Sequence, residues 1–476
     1  MAVRITIIGG GPGGYTAAIR AAQTGCEVTL VEEDRVGGTC LNRGCIPSKM
    51  MKRSAEMIED IKRAREFGLT VDGKVTQDIS SLMERKNRII QNQIKWILGL
   101  LEKHGVRYLQ GHGFIKGHKL AAVIQEDGKE IEVPFDSLIL ALGSEASGIQ
   151  ELPFDGRRII SSTEALNIQE IPESMLIVGA GAIGCEFAFI FSSFGSKVTL
   201  VEAMPRILPL PSVDEEISRV LQREMKKRRI DFMLNHVVKK AENINGSLNV
   251  TLMPFPFKEE KMDEDISNIQ TEVDCVLVCI GRKPGSSGVG LENVGVGTDE
   301  KGWIIADDHM RTSVPDVYAV GDILGPSKFM FAHVASKEGL VAAENAAGNS
   351  RSMNYSAVPG AIYTMPEVAC VGLTGVQATQ MGYDIRSDSV LFRTLGKSQV
   401  IGEIAGEMKL VSEVGSGRIL GVHIVGPHAT ELIAEGALAV NTGCTVNDLA
   451  ETIHAHPTLS EIFLEVSLKA LDRPLQ

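Results

Sequence analysis

Apolar residues in this chain fall into two recurring arrangements. Short apolar-rich runs such as Ile5–Ile8 and Val273–Ile280 predict buried strands. From Ser81 to Lys103, Leu, Ile and Trp96 recur at helical spacing, which predicts a long helix packing on the first part of the chain. Beyond about residue 346 the pattern changes to alternating strands and two amphipathic helices, near Thr374–Met381 and Ala429–Asn441. The charged stretch Lys258–Asn268 breaks the pattern and predicts an exposed hairpin or loop.

One arrangement occurs twice. Ile7–Gly14 reads I-I-G-G-G-P-G-G, and 170 residues later Ile177–Gly184 reads I-V-G-A-G-A-I-G. Each is an apolar strand running into G-x-G-x-x-G. At the same offset, Gly25–Glu32 (G-C-E-V-T-L-V-E) matches Gly195–Glu202 (G-S-K-V-T-L-V-E). Strand, glycine turn, helix, second strand and terminal acid are the parts of a dinucleotide-binding βαβ unit. Gly9 and Gly179 permit the tight turn, Gly11 and Gly181 let the backbone approach a pyrophosphate, and Gly14 and Gly184 allow close helix packing. Glu32 and Glu202, each 18 residues after the last glycine, are placed to accept hydrogen bonds from ribose hydroxyls. A carboxylate at 202 repels a 2′-phosphate, and Ala203 and Met204 bring no positive charge, so NAD is favoured over NADP; Arg206 is the nearest opposing cation.

Size and charge narrow the setting. With 476 residues, several cores are expected in one chain. A formal net charge of −12 opposes binding to nucleic acid or anionic membranes. Apolar runs stay short of the roughly 18 to 20 residues a membrane span needs. A cytoplasmic location fits best.

Eight cysteines are too few for a disulfide scaffold. Cys26, Cys185, Cys275, Cys279, Cys370 and Cys444 stand singly in apolar surroundings and read as buried small residues; no metal site is completed by Cys275 and Cys279. Cys40 and Cys45 differ. They lie in G-T-C-L-N-R-G-C-I-P-S-K, directly after the acid of the first nucleotide unit. A bond between them needs a distorted turn, because residues five apart in a regular helix are beyond the disulfide span of roughly 4.4 to 6.8 Å; Gly44 permits one. Pro47 suits a first helical turn, which places Cys45 at the positive end of a helix, where a thiolate is stabilised.

Near the C-terminus, T-I-H-A-H-P-T-L-S-E (Thr452–Glu461) holds two histidines and a carboxylate within ten residues. A carboxylate beside a histidine fixes its tautomer and stabilises its cation, which is the equipment for proton transfer.

These stretches resemble the pyridine nucleotide-disulfide oxidoreductase family, over essentially the whole chain. The resemblance implies an α/β fold: two Rossmann-like dinucleotide-binding domains, for FAD and NAD, plus a C-terminal α+β dimerisation domain. It implies a division into 1–145 (FAD-binding, with the cysteine pair), 146–274 (NAD-binding), 275–345 (central FAD part) and 346–476 (interface). T-S-V-P-D-V-Y-A-V-G-D (Thr312–Asp322) is similar to the family's second FAD motif, which gives Asp322 the flavin ribitol. Cys279–Pro284 (C-I-G-R-K-P) looks like the motif closing the NAD domain, with Gly281, and Gly111-His112-Gly113 like the turn near the FAD adenine. By the same matching Lys49 lies beside the flavin and Ala332 near its ring. Cys40 and Cys45 become a redox-active disulfide. His456 becomes the general base, Glu461 its orienting acid and His454 a structural neighbour.

The implied activity is oxidation of protein-bound dihydrolipoamide with reduction of NAD⁺, serving 2-oxoacid dehydrogenase or glycine cleavage complexes. The implied assembly is a homodimer with shared active sites. A reductase of another disulfide, or a docking component of a lipoyl multienzyme complex, is the competing reading. Leu391–Val400 (L-F-R-T-L-G-K-S-Q-V) departs from the family's interface-domain pattern, which leaves partner docking open.

Overall fold

The first apolar run becomes strand Arg4–Ile8, the centre of a five-stranded parallel sheet. Its spatial order is Val317–Ala319, Ser137–Leu140, Arg4–Ile8, Glu27–Glu32, Arg107–Gln110. Helix Pro12–Gln23 follows the glycine turn and crosses helix Ala332–Ala346 closely. A Cβ added at Gly339 would stand 2.3 Å from the Gly13 carbonyl oxygen, so only glycine lets the two backbones meet.

The second copy builds the same device. Its parallel sheet runs Asp231–Leu234, Lys197–Glu202, Ser174–Val178, Cys275–Val278, Ile159–Ile160. The register repeats as well: Ile7 lies opposite Leu30, and Ile177 opposite Leu200. The central strands, Ser174–Val178 and Cys275–Val278, are almost wholly buried, as expected of strands covered on both faces.

The third sheet is antiparallel, in the order Gly360–Ile362, Glu367–Gly372, Ile419–Gly426, Glu407–Glu413, Ile385–Leu391. Helices Ala429–Thr442 and Glu461–Ala470 cover it, with Phe392, Ile424, Ile433 and Phe463 in the shared core. Residues Leu391–Val400 form a 3₁₀ turn, Phe392–Thr394, and the start of a short helix, Gly396–Ile401; Phe392 and Leu395 are buried. That segment is a packed corner of the domain. Strand Ile419–Gly426 also carries His423, fully buried, with Nε2 3.0 Å from the Leu373 carbonyl and Nδ1 without a partner among the described residues.

The computed structural model describes residues 2–73, 75–244, 247–255 and 268–475. Two compact units emerge: Met1–Met50, Asp78–Ser147 and Gly281–Asn354 in one, and Met51–Gln77, Gly148–Ile280 and Tyr355–Gln476 in the other. Cys275–Val278 pairs with Ser174–Val178, so it belongs to the second sheet and not with the returning segment. The loop expected at Lys258–Asn268 lies, up to residue 267, outside the described residues.

Two expectations need correction. Trp96 sits on the predicted helix, Ile79–Lys103, but is 60% exposed; the buried face is made by Met83, Ile90, Ile94, Ile97 and Leu101. Helix-like spacing grouped Trp96 with the Leu and Ile positions, whereas the helix's actual phase puts residue 96 outside. Cys26, Cys279 and Cys444 are only partly buried, because each lies just beyond an element's end, where packing loosens; Cys185, Cys275 and Cys370 are buried as expected.

Candidate active site

The two glycine loops are held in the same way. Glu32 Oε2 accepts the Gly10 N–H at 2.6 Å and Oε1 the Asp34 N–H at 2.9 Å. Glu202 Oε2 accepts the Ala180 N–H at 2.6 Å and Oε1 the Met204 N–H at 2.9 Å. Burial pushes the Glu32 carboxyl upward, against the backbone hydrogen bonds from Asp34 and Gly10 that favour its charged form.

Gly9 and Gly179 have φ of +104° and +99°, the left-handed turn that glycine makes easily. At Gly14 and Gly184 an added Cβ would fall 1.8 and 1.9 Å from the carbonyl oxygens of Gly9 and Gly179. The outer face is open: nothing lies within 4 Å of a Cβ built at Gly181, and only Gly38 Cα, at 3.8 Å, near one at Gly11. Neither Gly11 nor Gly181 offers a side-chain cap to its helix. The first N–H groups of both helices therefore face an open, positively polarised cradle, which suits a pyrophosphate. Arg206 Nη2 donates to the Leu210 carbonyl at 3.0 Å, which ties that cation back onto its own loop.

The cysteine segment departs from regular helix as its spacing demands. A short helix, Gly38–Arg43, ends at Gly44, and an 18-residue helix, Cys45–Lys62, begins at Cys45 itself. A Cβ at Gly44 would sit 2.9 Å from the Thr39 carbonyl oxygen and 3.3 Å from Cys40 Cα, so glycine lets the two helices close on each other. Cys40 and Cys45 are neighbours joined by a side-chain hydrogen bond. That bond, burial and repulsion from Cys45 drive the Cys40 thiol far upward, against the pull of Lys49. Cys45 stands at the N-terminus of its helix, a position that favours a thiolate.

Asp322 lies at the start of the 3₁₀ turn Gly321–Leu324, in the same compact unit as the cysteines. Its Oδ2 accepts the Ser144 hydroxyl at 2.7 Å, and Ser144 Oγ accepts Arg282 Nε at 2.5 Å. Gly113 lies on strand His112–Gly117, and Gly111, at φ +152°, precedes it. Ala332 is the first residue of helix Ala332–Ala346, and Gly281 precedes strand Arg282–Pro284.

In the other unit, His456 Nδ1 is 2.8 Å from Glu461 Oε1. Glu461 Oε2 accepts the Thr458 N–H at 2.9 Å. Burial raises the Glu461 carboxyl, but the bonds from His456 and Thr458 outweigh it and leave it below its ordinary value. The His456 ring is 78% exposed, whereas the His454 ring is 4% exposed and bonds Glu435 Oε1 through Nε2 at 2.8 Å.

Sequence reasoning missed three of these groups. Glu435 lies 19 residues before His454 with no local signal. Ser144 is an ordinary serine in A-L-G-S. Arg282 lay inside the quoted C-I-G-R-K-P motif, where only Gly281 was singled out.

Two parallel-sheet nucleotide units, a cysteine pair at a helix start and a histidine–carboxylate pair on a dimerisation-type domain define an oxidoreductase of the disulfide-handling kind. Residues 3–339 match the model of the pyridine nucleotide-disulphide oxidoreductase family and residues 358–467 that of its dimerisation domain. The chain belongs to this family. It is 41% identical over 471 residues to dihydrolipoyl dehydrogenase of Chlamydia muridarum, covering 98% of this chain and 97% of that protein. It is 36% identical over 468 residues to dihydrolipoyl dehydrogenase of Bacillus subtilis, covering 98% of each. Among solved structures it is similar to LpdA from Mycobacterium tuberculosis, with TM-score 0.89 and 26% identity over 98% of this chain and 100% of that one. The fold is shared with the flavoprotein disulfide reductase RclA from Escherichia coli, at TM-score 0.83 and 24% identity over 98% of this chain and 99% of that one.

Proposed function

We propose that this protein is a homodimeric dihydrolipoyl dehydrogenase, oxidising dihydrolipoamide carried on a lipoyl protein and reducing NAD⁺. The observation that carries the reading is the cysteine pair: Cys45 opens an 18-residue helix, hydrogen-bonds Cys40, and lies in one compact unit with the first nucleotide cradle and Asp322. The full-length similarity to dihydrolipoyl dehydrogenases supports the substrate.

In the oxidised protein Cys40 and Cys45 form a disulfide. His456 takes the proton of one substrate thiol at Nε2, because Glu461 holds the other ring nitrogen. The substrate thiolate attacks Cys40 Sγ; a substrate–Cys40 disulfide forms, the Cys40–Cys45 bond breaks, and Cys45 leaves as thiolate. The second substrate thiol attacks the first substrate sulfur, closing the lipoamide ring; the substrate–Cys40 bond breaks, and the leaving Cys40 sulfur takes up the proton that the second thiol gives up. Bound FAD supplies the electron transfer from the cysteine pair to NAD⁺. Asp322 and the Gly9–Gly14 loop hold FAD, with Glu32, Lys49, Gly113 and Ala332 around it; the Gly179–Gly184 loop, Glu202 and Gly281 hold NAD. In the homodimer the histidine–carboxylate pair of one protomer serves the cysteines of its partner.

Anaerobic addition of NADH to the purified holoenzyme, followed by lipoamide or glutathione disulfide, tests this. A red-shifted thiolate-to-flavin band and rapid turnover of lipoamide alone are expected. Bleaching without that band, or indifference to lipoamide, would remove the substrate assignment.

A further inference from the structure

The antiparallel sheet of the dimerisation domain carries a row of three polar side chains on one face. In the register of its strands Cys370 stands opposite His423, and His423 opposite Lys409. Residues directly opposite one another share a face. Their chain neighbours Ala369, Val371, Val422, Ile424, Met408 and Leu410 alternate onto the other face and belong to the domain core. The row itself meets the nucleotide unit. The Cys370 sulfur hydrogen-bonds Ser212, and His423 in the middle is fully buried. Lys409 Nζ lies 3.1 Å from Asp214 Oδ2 and 2.8 Å from Glu216 Oε2. The Lys409 and Asp214 side chains are only 12% and 7% exposed, so this pair is nearly dry, and removing one member strands the other.

Ser212, Asp214 and Glu216 end the segment that leaves the second nucleotide acid. Glu202 Oε1 holds the Met204 N–H at one end of that segment. Further on, Leu208 donates its N–H to the Ala180 carbonyl at 2.8 Å, which fastens the segment to the glycine loop. Ile207 and Leu208 are fully buried, and the Ile207 carbonyl accepts the Ser218 hydroxyl. Ser218 lies in the first turn of helix Glu215–Lys227, whose N-cap is Asp214; the cap carboxylate accepts the Glu216 N–H through Oδ1 at 3.0 Å and meets Lys409 through Oδ2. A continuous set of contacts therefore runs from Lys409 through the helix start and Ser218 to the residues that grip Ala180.

We propose that Lys409 is a positioning residue for the second nucleotide cradle: by holding Asp214 and Glu216 it fixes the start of helix Glu215–Lys227 and, through Ser218, the segment that supports the Gly179–Gly184 loop. The dimerisation domain thereby helps to shape a cradle whose glycines lie more than 200 residues earlier in the chain. Lys409 acts on nucleotide affinity alone, because the cysteine pair and the histidine–carboxylate pair stand outside this set of contacts. The proposal rests on the reading of that cradle as the NAD site.

The test is steady-state turnover of the holoenzyme with varied NAD⁺, together with inhibition by ADP-ribose, which carries the pyrophosphate and both riboses but no reacting ring. In Lys409→Met the KM for NAD⁺ and the inhibition constant of ADP-ribose are both expected to rise about fivefold, a usual size for a residue acting on a site from outside it. The kcat at saturating NAD⁺, the KM for dihydrolipoamide and the FAD content are expected to hold, the pattern of lost binding with chemistry intact. Lys409→Arg, which keeps the charge, is expected to recover most of the affinity. Unchanged constants in Lys409→Met, or a fall in kcat and FAD content as large as the loss of affinity, overturn the proposal. Should Lys409→Met not fold, Asp214→Asn keeps a good helix cap and removes the charge that Lys409 holds; the same rise is expected, and an unchanged ADP-ribose constant overturns the idea. A parent whose flavin is reduced by dihydrolipoamide but which neither reduces NAD⁺ nor binds ADP-ribose instead overturns the reading of the cradle, and the proposal with it.

Discussion

His456 Nδ1 lies 2.8 Å from Glu461 Oε1, and the same carboxylate accepts the Thr458 N–H through its other oxygen. The ring is thus held from behind by a group itself anchored to the backbone, with its outer nitrogen toward solvent. Replacement His456→Gln is expected to lower kcat for dihydrolipoamide by about 10² or more, the usual scale for a general base. Glu461→Gln keeps a hydrogen-bonding oxygen but loses the charge, and a smaller loss is expected. Steady-state NAD⁺ reduction checks both; an unchanged rate in the first would place the base elsewhere.

Cys45→Ser is expected to abolish lipoamide turnover while leaving FAD bound, because the serine hydroxyl fits the helix start but forms no disulfide. Flavin absorbance after gel filtration and the turnover assay read the two parts separately. Wild-type turnover in this variant would refute the redox assignment.

Gly184→Ala brings a methyl group to within 1.9 Å of the Gly179 carbonyl oxygen. Overpacking of this sort costs about 1–3 kcal/mol, and the loop must shift to relieve it. Weaker NAD binding by calorimetry, at unchanged FAD content, is the expected outcome, since the first nucleotide loop has its own glycines. Loss of FAD instead would show that the two cradles do not act independently.

His423 makes stability depend on acid. Burial lowers its pKa below the ordinary value, outweighing the Leu373 carbonyl and Asp214, while Lys409 adds to the lowering. Between the ordinary value, about 6.5, and the folded one, the unfolded chain holds a proton that the folded chain does not. Stability therefore falls as pH drops through that window. In His423→Gln, urea midpoints measured at about pH 7.5 and about pH 5.5 should differ less than in the parent. An equal or steeper decline would acquit this histidine.

Lys52 Nζ lies 2.6 Å from both Glu56 and Glu367, and the Lys52 and Glu367 side chains are nearly buried. Lys52→Met leaves Glu367 charged with Thr430 as its one remaining partner among the described residues. A loss of about 3–5 kcal/mol in denaturant unfolding is expected, the scale for orphaning one member of a buried pair. A loss below about 1 kcal/mol would mean that water reaches the carboxylate.

The nucleotide units were legible because their physics is local. A glycine turn, a helix start and a carboxylate two strands' length away must recur at fixed spacing, so Gly9, Gly179, Glu32 and Glu202 announced themselves. Cys40, Cys45, His456 and Glu461 were legible for the same reason, each pair lying five residues apart. Arg282, Ser144 and Asp322 meet across 138 and 178 residues, where only the sheet brings them together. Glu435 reaches His454 from another helix. Trp96 failed on phase: a one-position difference on a helix turns a large ring from core to water.

The carboxylates of Glu32 and Glu202 already grip the backbone of their glycine loops within the protein alone. Each loop's freedom is surrendered when the chain folds, so an arriving nucleotide meets a finished mould and has little disorder left to remove. On the proposed reading, exchange of the nicotinamide nucleotide would call for no loop reordering at each turnover, and the flavin nucleotide would gain affinity from the same rigidity.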